Sequence, residues 1–111
     1  TLGDQGSARW MPRVIEYLHA HFLERPTVDH LSAVAGVHPA HFARVFRSTF
    51  KRSPATYVRQ LRLEWAADAL AQTDQPLVDI AAASGFADQS HFTRAFRRHV
   101  GRTPAAYRRG R

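Results

Sequence analysis

The sequence predicts an all-α fold: two helix-turn-helix subdomains joined by a long linker helix, about seven helices in total. Three observations carry this reading. Apolar residues recur at helical spacing along most of the chain, the chain matches itself at an offset of about fifty residues, and each copy breaks once at a glycine.

The repeat can be counted. Under a shift of 49, Val28, Leu31, Ala35 and Gly36 fall on Leu77, Ile80, Ser84 and Gly85, and Val37 falls on Phe86. Under a shift of 50, His41, Phe42, Arg44, Phe46, Arg47, Pro54, Ala55 and Tyr57 meet identical residues at His91, Phe92, Arg94, Phe96, Arg97, Pro104, Ala105 and Tyr107. The change of offset requires one extra residue between Gly85 and His91, and an insertion of that size belongs in a turn. Two copies are too few for a solenoid, so they read as two small units.

Taken in order, residues 1–7 read as linker. Met11, Ile15, Leu18 and Phe22 give helical spacing from about Ala8 to Glu24, a helix that stops before Arg25-Pro26 and is expected to pack on the first unit. Thr27 caps the next helix, Asp29 favours its positive end, and Leu31, Val34 and Ala35 form its apolar stripe. Gly36 ends it, because glycine enters the left-handed conformation without steric cost. A helix restarts at Pro39 after His38 and runs over about residues 39–51. Phe42, Phe46, Thr49 and Phe50 make its inner face; Ala40, Ala43, Arg44, Arg47 and Lys51 make its outer one.

Ser53 then caps a helix from Pro54 to about Gln72 with no interior Gly or Pro. Its 19 residues span roughly 28 Å. Asp74-Gln75-Pro76 turns the chain into the second unit. There Asp88 caps a helix over about residues 89–100 that starts at Gln89, with Phe92, Phe96 and Val100 inward and Ser90, Thr93, Arg94 and Arg97 outward. Thr103 before Pro104 starts the final helix. The resulting boundaries are a linker over 1–7, a first helix-turn-helix subdomain over 8–52, a connecting helix over 53–73 and a second subdomain over 74–111.

Composition narrows the function. A chain of 111 residues is short for the core that most enzymes build around a cleft. No apolar run approaches the roughly 18 residues of a membrane span. There is no cysteine, which removes disulfides and thiolate chemistry and fits a reducing, intracellular setting. No secretion leader is visible, and a chain beginning at Thr1 reads as cut from a longer one. The net charge of +7 is concentrated: Arg44, Arg47, Lys51, Arg52, Arg59 and Arg62 in one window and Arg94, Arg97, Arg98, Arg102, Arg108, Arg109 and Arg111 in another hold thirteen of the sixteen cations. Neither window contains an Asp or Glu, a pattern suited to neutralising a phosphate backbone.

A helix that is apolar behind and cationic in front fits a major groove about 12 Å wide, where arginine makes two hydrogen bonds to guanine. Major grooves on one face of a duplex recur about every 34 to 36 Å, so the long helix is expected to set two recognition helices into successive grooves. The aromatic stripes read as packing. The histidine pairs His38 and His41, and His19 and His21, lack a cysteine or nearby carboxylate to complete a metal site, and no cofactor is expected. No nucleophile elbow, phosphate loop or paired carboxylates points to an enzyme. The competing readings are a sequence-indifferent architectural DNA-binding protein and an adaptor for acidic protein partners.

The run Asp79-Ile80-Ala81, Ser84-Gly85-Phe86, Asp88-Gln89-Ser90-His91-Phe92-Thr93-Arg94, Phe96-Arg97-Arg98, Gly101-Arg102-Thr103-Pro104 and Tyr107-Arg108 resembles the signature of the AraC/XylS family of transcription regulators. The resemblance covers about Trp10 to Arg109. It implies a C-terminal domain that binds double-stranded promoter DNA with both units in the cytoplasm, on the nucleoid, and that contacts RNA polymerase to activate transcription. It also implies a separate effector or dimerisation domain elsewhere in the full-length chain. By position, the resemblance assigns base contacts to Ala40, Ala43 and Arg44 in the first helix and to Gln89, Ser90 and Arg94 in the second. Arg47, Lys51, Thr93, Arg97, Arg98 and Arg102 are then expected on phosphates. The chain departs from the family where Pro39, Ala40 and Ala43 replace residues that are often large or polar. Hydrogen bonding from the first helix then falls mostly on Arg44, with the alanines offered to thymine methyls.

Overall fold

The computed structural model describes residues 9–111, and among these the chain forms seven α-helices and one short 3₁₀ turn. The linker expected over residues 1–7, and the start of the first helix at Ala8, lie outside the described residues. By packing the chain divides into two units, between Arg59 and Gln60.

In the first unit, helix α1 (Met11–His21) carries Pro12 in its first turn, where a missing N–H costs no hydrogen bond. It buries Met11, Val14 and Leu18. Ile15 and Phe22, expected inside, are only half-buried, because the face turns through Val14 and places these two at its margins. A 3₁₀ turn over Phe22–Glu24 closes α1, and Arg25 then reverses the chain at φ 54° before Pro26. Helix α2 (Val28–Ala35) is capped by Thr27, whose hydroxyl accepts from the His30 N–H at 3.1 Å. It ends at Gly36 with φ 75°.

Helix α3 (Pro39–Phe50) restarts three positions after that glycine, and its cap is a histidine: His38 Nδ1 accepts from the Ala40 N–H at 3.1 Å. Its buried residues are Phe42, Val45 and Phe46. Thr49, expected inside, is exposed and returns its hydroxyl to the Val45 carbonyl at 2.9 Å; Val45 takes the inner place. Trp10 covers Phe42, with ring centroids 5.4 Å apart.

Helix α4 (Pro54–Gln72) begins in the first unit, after the Ser53 cap. There Val58 is buried, and Tyr57 stands edge-on to Phe46, centroids 5.4 Å apart. The remainder of α4 belongs to the second unit, whose core includes its Leu63, Ala66 and Leu70. The helix is therefore a packed element of that core.

In the second unit, α5 (Leu77–Ala83), α6 (Gln89–Val100) and α7 (Pro104–Arg109) repeat the pattern. Five residues connect α5 to α6 where three connect α2 to α3: one is the insertion that the repeat requires, and the other is Ser84, the counterpart of Ala35, which caps α5 from outside the helix. Ser84 is fully buried and satisfies its hydroxyl on the Ile80 and Ala81 carbonyls. Asp88 caps α6 by accepting from the His91 N–H at 2.7 Å. Ile80, Ala81, Phe86, Phe92, Ala95 and Phe96 complete the core. Phe92 and Phe96 lie 5.6 Å apart and Tyr107 stands edge-on to Phe96 at 5.5 Å, close to the 5.7 and 5.4 Å of the first unit. Identical residues thus reproduce the same aromatic ladder twice.

The units differ where these helices end. Gly101 terminates α6 at φ 93°, whereas Lys51 holds the same place after α3 at φ 60°. Lys51, expected inside the helix, is thus its left-handed terminator, a conformation that costs a residue with a Cβ about 1–2 kcal/mol. Lys51→Gly should therefore raise stability by about 1 kcal/mol, read as a higher urea midpoint with unchanged slope. Gly101→Lys should lower it by a similar amount, since a Cβ at Gly101 meets nothing within 4 Å and only backbone strain is added. Equal midpoints for the variants and the parent would contradict this.

Candidate nucleic-acid interface

The outward faces of α3 and α6 follow from what each helix buries. In α3, with Phe42, Val45 and Phe46 inward, Ala40, Arg44 and Arg47 are exposed and Ala43 is half-buried beside them. Lys51 is exposed at the end of the helix. The backbone near Ala40 and Ala43 is thereby open to close approach by a flat partner. Arg44 is held: its Nη2 lies 2.9 Å from His41 Nδ1, one helical turn earlier.

In α6, with Phe92, Ala95 and Phe96 inward, Gln89, Ser90, Arg94, Arg97 and Arg98 are exposed and Thr93 is half-buried. Gln89, Ser90, Thr93 and Arg94 line one open polar concavity. The structure thus brings these four expected residues together. Arg102 lies past the helix, its guanidinium 3.1 Å from where a Cβ on Gly110 would stand. The N-termini of both helices are side-chain capped, and α6 gathers Arg97, Arg98 and His99 in its last turn, where positive charge suits the helix dipole.

The two cationic windows are not wholly given to solvent. Arg52 lies over the Tyr57 ring at 5.3 Å and Arg62 over the Phe86 ring at 5.6 Å. Arg108 and Arg111 both donate to the carbonyls of Leu70 and Thr73, closing the C-terminal end of α4. Arg111 also pairs with Asp74. The expectation of an uncompensated second window is corrected here: sequence separation hid an acid that folding brings to Arg111. The other cations of the two windows are all exposed: Arg44, Arg47, Lys51 and Arg59 in the first unit and Arg94, Arg97, Arg98, Arg102 and Arg109 in the second.

Sequence reasoning missed two roles. Arg108 and Arg111 as caps of α4 had no local signal, since the contact joins residues 35 to 41 positions apart. The hold of His41 on Arg44 had one, the i, i+3 spacing that stacks side chains on one helix face.

Among the described residues no group of three or more His, Asp or Glu side chains is placed to hold a metal ion, and no helix is long and apolar enough to cross a membrane.

Comparison with known proteins gives a consistent set. Residues 31–110 match a family model described as a helix-turn-helix domain. A protein of Bacillus subtilis (strain 168), named as the uncharacterized HTH-type transcriptional regulator YobQ, is 36% identical over 61 residues, 55% of this chain. The aligned stretch is 25% of that regulator's length. A crystal structure of a transcriptional regulator of the AraC-type DNA-binding-domain class from Chromobacterium violaceum superposes with a TM-score of 0.86 at 28% identity, covering 95% of this chain and 94% of that one. The DNA-binding domain of AdpA, a global transcriptional factor crystallised with a target DNA, gives 0.78 at 30% identity over 87% of each chain.

The Asp74 pair has a pH signature. The hydrogen bond from Arg111, then its charge, hold the Asp74 carboxyl below the ordinary carboxylate range. The unfolded chain thus takes up this proton first as pH falls, so the contribution is present above the ordinary value and is lost as pH drops through the lowered one. Asp74→Asn should flatten the acid side of the melting-temperature profile while leaving other regions of the profile parallel to the parent's. An unchanged acid limb would show that the pair contributes nothing.

Proposed function

The chain belongs to the helix-turn-helix family of AraC-type transcription regulators, as a DNA-binding domain and not an enzyme, and from that premise we propose that α3 and α6 read one promoter site in successive major grooves. The observation that carries this reading is the repeated helix with a buried Phe ladder behind and arginines in front. It is supported by the 19-residue length of α4 and by the AdpA domain of similar fold, which was crystallised on target DNA.

In this reading Arg44 and Arg94 each take the two acceptors of a guanine, Gln89 takes an adenine edge, Ser90 makes a single polar contact, and Ala40 and Ala43 lie against thymine methyls. Arg47, Lys51, Thr93, Arg97, Arg98 and Arg102 contact phosphates and fix the register. The finer proposal includes activation through RNA polymerase, a location on the nucleoid in the cytoplasm, and a sensing or dimerising domain elsewhere in a longer chain. The last point is supported by the span of the match, which takes in only 25% of the Bacillus subtilis regulator.

Binding assays on a selected duplex and its single-base variants separate the two classes of contact. Arg44→Ala or Arg94→Ala should lose about 1–3 kcal/mol of preference at one base pair, and Arg98→Ala should weaken all sequences alike and lower the salt slope by about one. Uniform losses from all three would contradict base reading. Equal affinity of the parent for all duplexes would mean sequence-indifferent binding.

A further inference from the structure

The two outward-facing helices share a motif, His41-Phe42-Ala43-Arg44 in α3 and His91-Phe92-Thr93-Arg94 in α6, yet use it differently. In α3, Arg44 Nη2 lies 2.9 Å from His41 Nδ1. A guanidinium carries only donors, so Nδ1 accepts and the ring proton of the neutral imidazole sits on Nε2. In α6, His91 instead meets the Phe86 ring edge-on, centroids 5.1 Å apart and planes at 85°. Arg94 is exposed and has no side-chain partner among the described residues.

The turns before the two helices differ at the residue that meets this histidine. Phe86 stands where the first unit has Val37. Its ring serves both His91 and Phe92, the latter at 5.5 Å. In the first unit Phe42 takes its ring partner from Trp10, ahead of α1, and position 37 offers no ring to the histidine.

We propose that His41 is a positioning residue that holds Arg44 for bidentate recognition of guanine, and that the second unit, its histidine engaged by Phe86, reads guanine through a less ordered Arg94 with weaker discrimination. This rests on the DNA-reading role given above to α3 and α6. The bond to His41 uses one of the five N–H groups of Arg44, so two parallel donors remain for the O6 and N7 acceptors of guanine. Fixing a flexible side chain on a partner weakens binding by about two- to ten-fold. That loss falls only on the duplex where both bonds form, so ordering Arg44 beforehand sharpens discrimination at one base and leaves general affinity unchanged.

The test uses the whole 111-residue chain, a duplex selected from a random pool, and variants of that duplex with each guanine replaced in turn. Arg44→Ala and Arg94→Ala first identify the guanine that each unit reads. His41→Ala should then lower the preference at Arg44's guanine by about two- to ten-fold, leave Arg94's guanine untouched, and change nothing further in the Arg44→Ala background. His41→Asn, whose Oδ1 offers an acceptor near the place of Nδ1, should restore the preference. His91→Ala should change neither position. A loss on every duplex alike, a loss that persists in the Arg44→Ala background, failure of the asparagine to restore, or an equal effect from His91→Ala would each overturn the proposal. If Arg44→Ala alters no single position, base reading by α3 itself fails, an outcome distinct from all of these.

Discussion

Burial of two phenylalanines one helical turn apart decides which way each helix-turn-helix unit faces. Phe42 and Phe46 in α3, and Phe92 and Phe96 in α6, have no exposed surface. Each such side chain contributes on the order of 1.5–3 kcal/mol by leaving water. Rolling either helix to hide its arginines would expose these rings and bury guanidinium groups without partners, which is costly in both directions. The arginine face is therefore a consequence of the aromatic ladder. Tyr57 and Tyr107 complete the ladder from the following helix, which explains why Pro-Ala-x-Tyr recurs together with His-Phe-x-Arg.

The same packing divides the positive charge into two uses. Arg108 and Arg111 satisfy the last carbonyls of α4, and Arg52 and Arg62 lie on aromatic rings, so these four side chains have structural partners. Arg44, Arg47, Arg94, Arg97 and Arg98 stand on exposed helix faces. A polyanion meets the second group first, and its binding is expected to fall steeply with salt through release of counterions. Total charge alone makes no such distinction, which is why the windows counted along the chain overstate the available cations.

Much of the architecture was legible beforehand because it is local. The caps at Thr27, Ser53, Asp88 and Thr103, the left-handed Gly36 and the 19-residue α4 all rest on short-range rules. The outward positions of α3 and α6 followed from period alone once the Phe ladder was seen. What escaped needed the third dimension or finer angular placement. Thr49 and Val45 sit four residues apart on neighbouring strips of α3, and only packing decides which is inside. Lys51 had no sequence mark of its positive φ except that its counterpart in the repeat is Gly101. The hold of His41 on Arg44 was within reach of the i, i+3 spacing, but the different setting of His91, edge-on to Phe86, involves a ring outside the helix.

The central claim is that both arginine faces meet DNA, and amide chemical shifts measured by NMR during titration with a selected duplex test it most directly. The account predicts that the largest changes fall on Ala40, Ala43 and Arg44 in α3 and on Ser90, Thr93 and Arg94 in α6, while core amides at Phe46, Leu70 and Phe96 move little. Changes concentrated on α1, or on one of the two recognition helices alone, would contradict it.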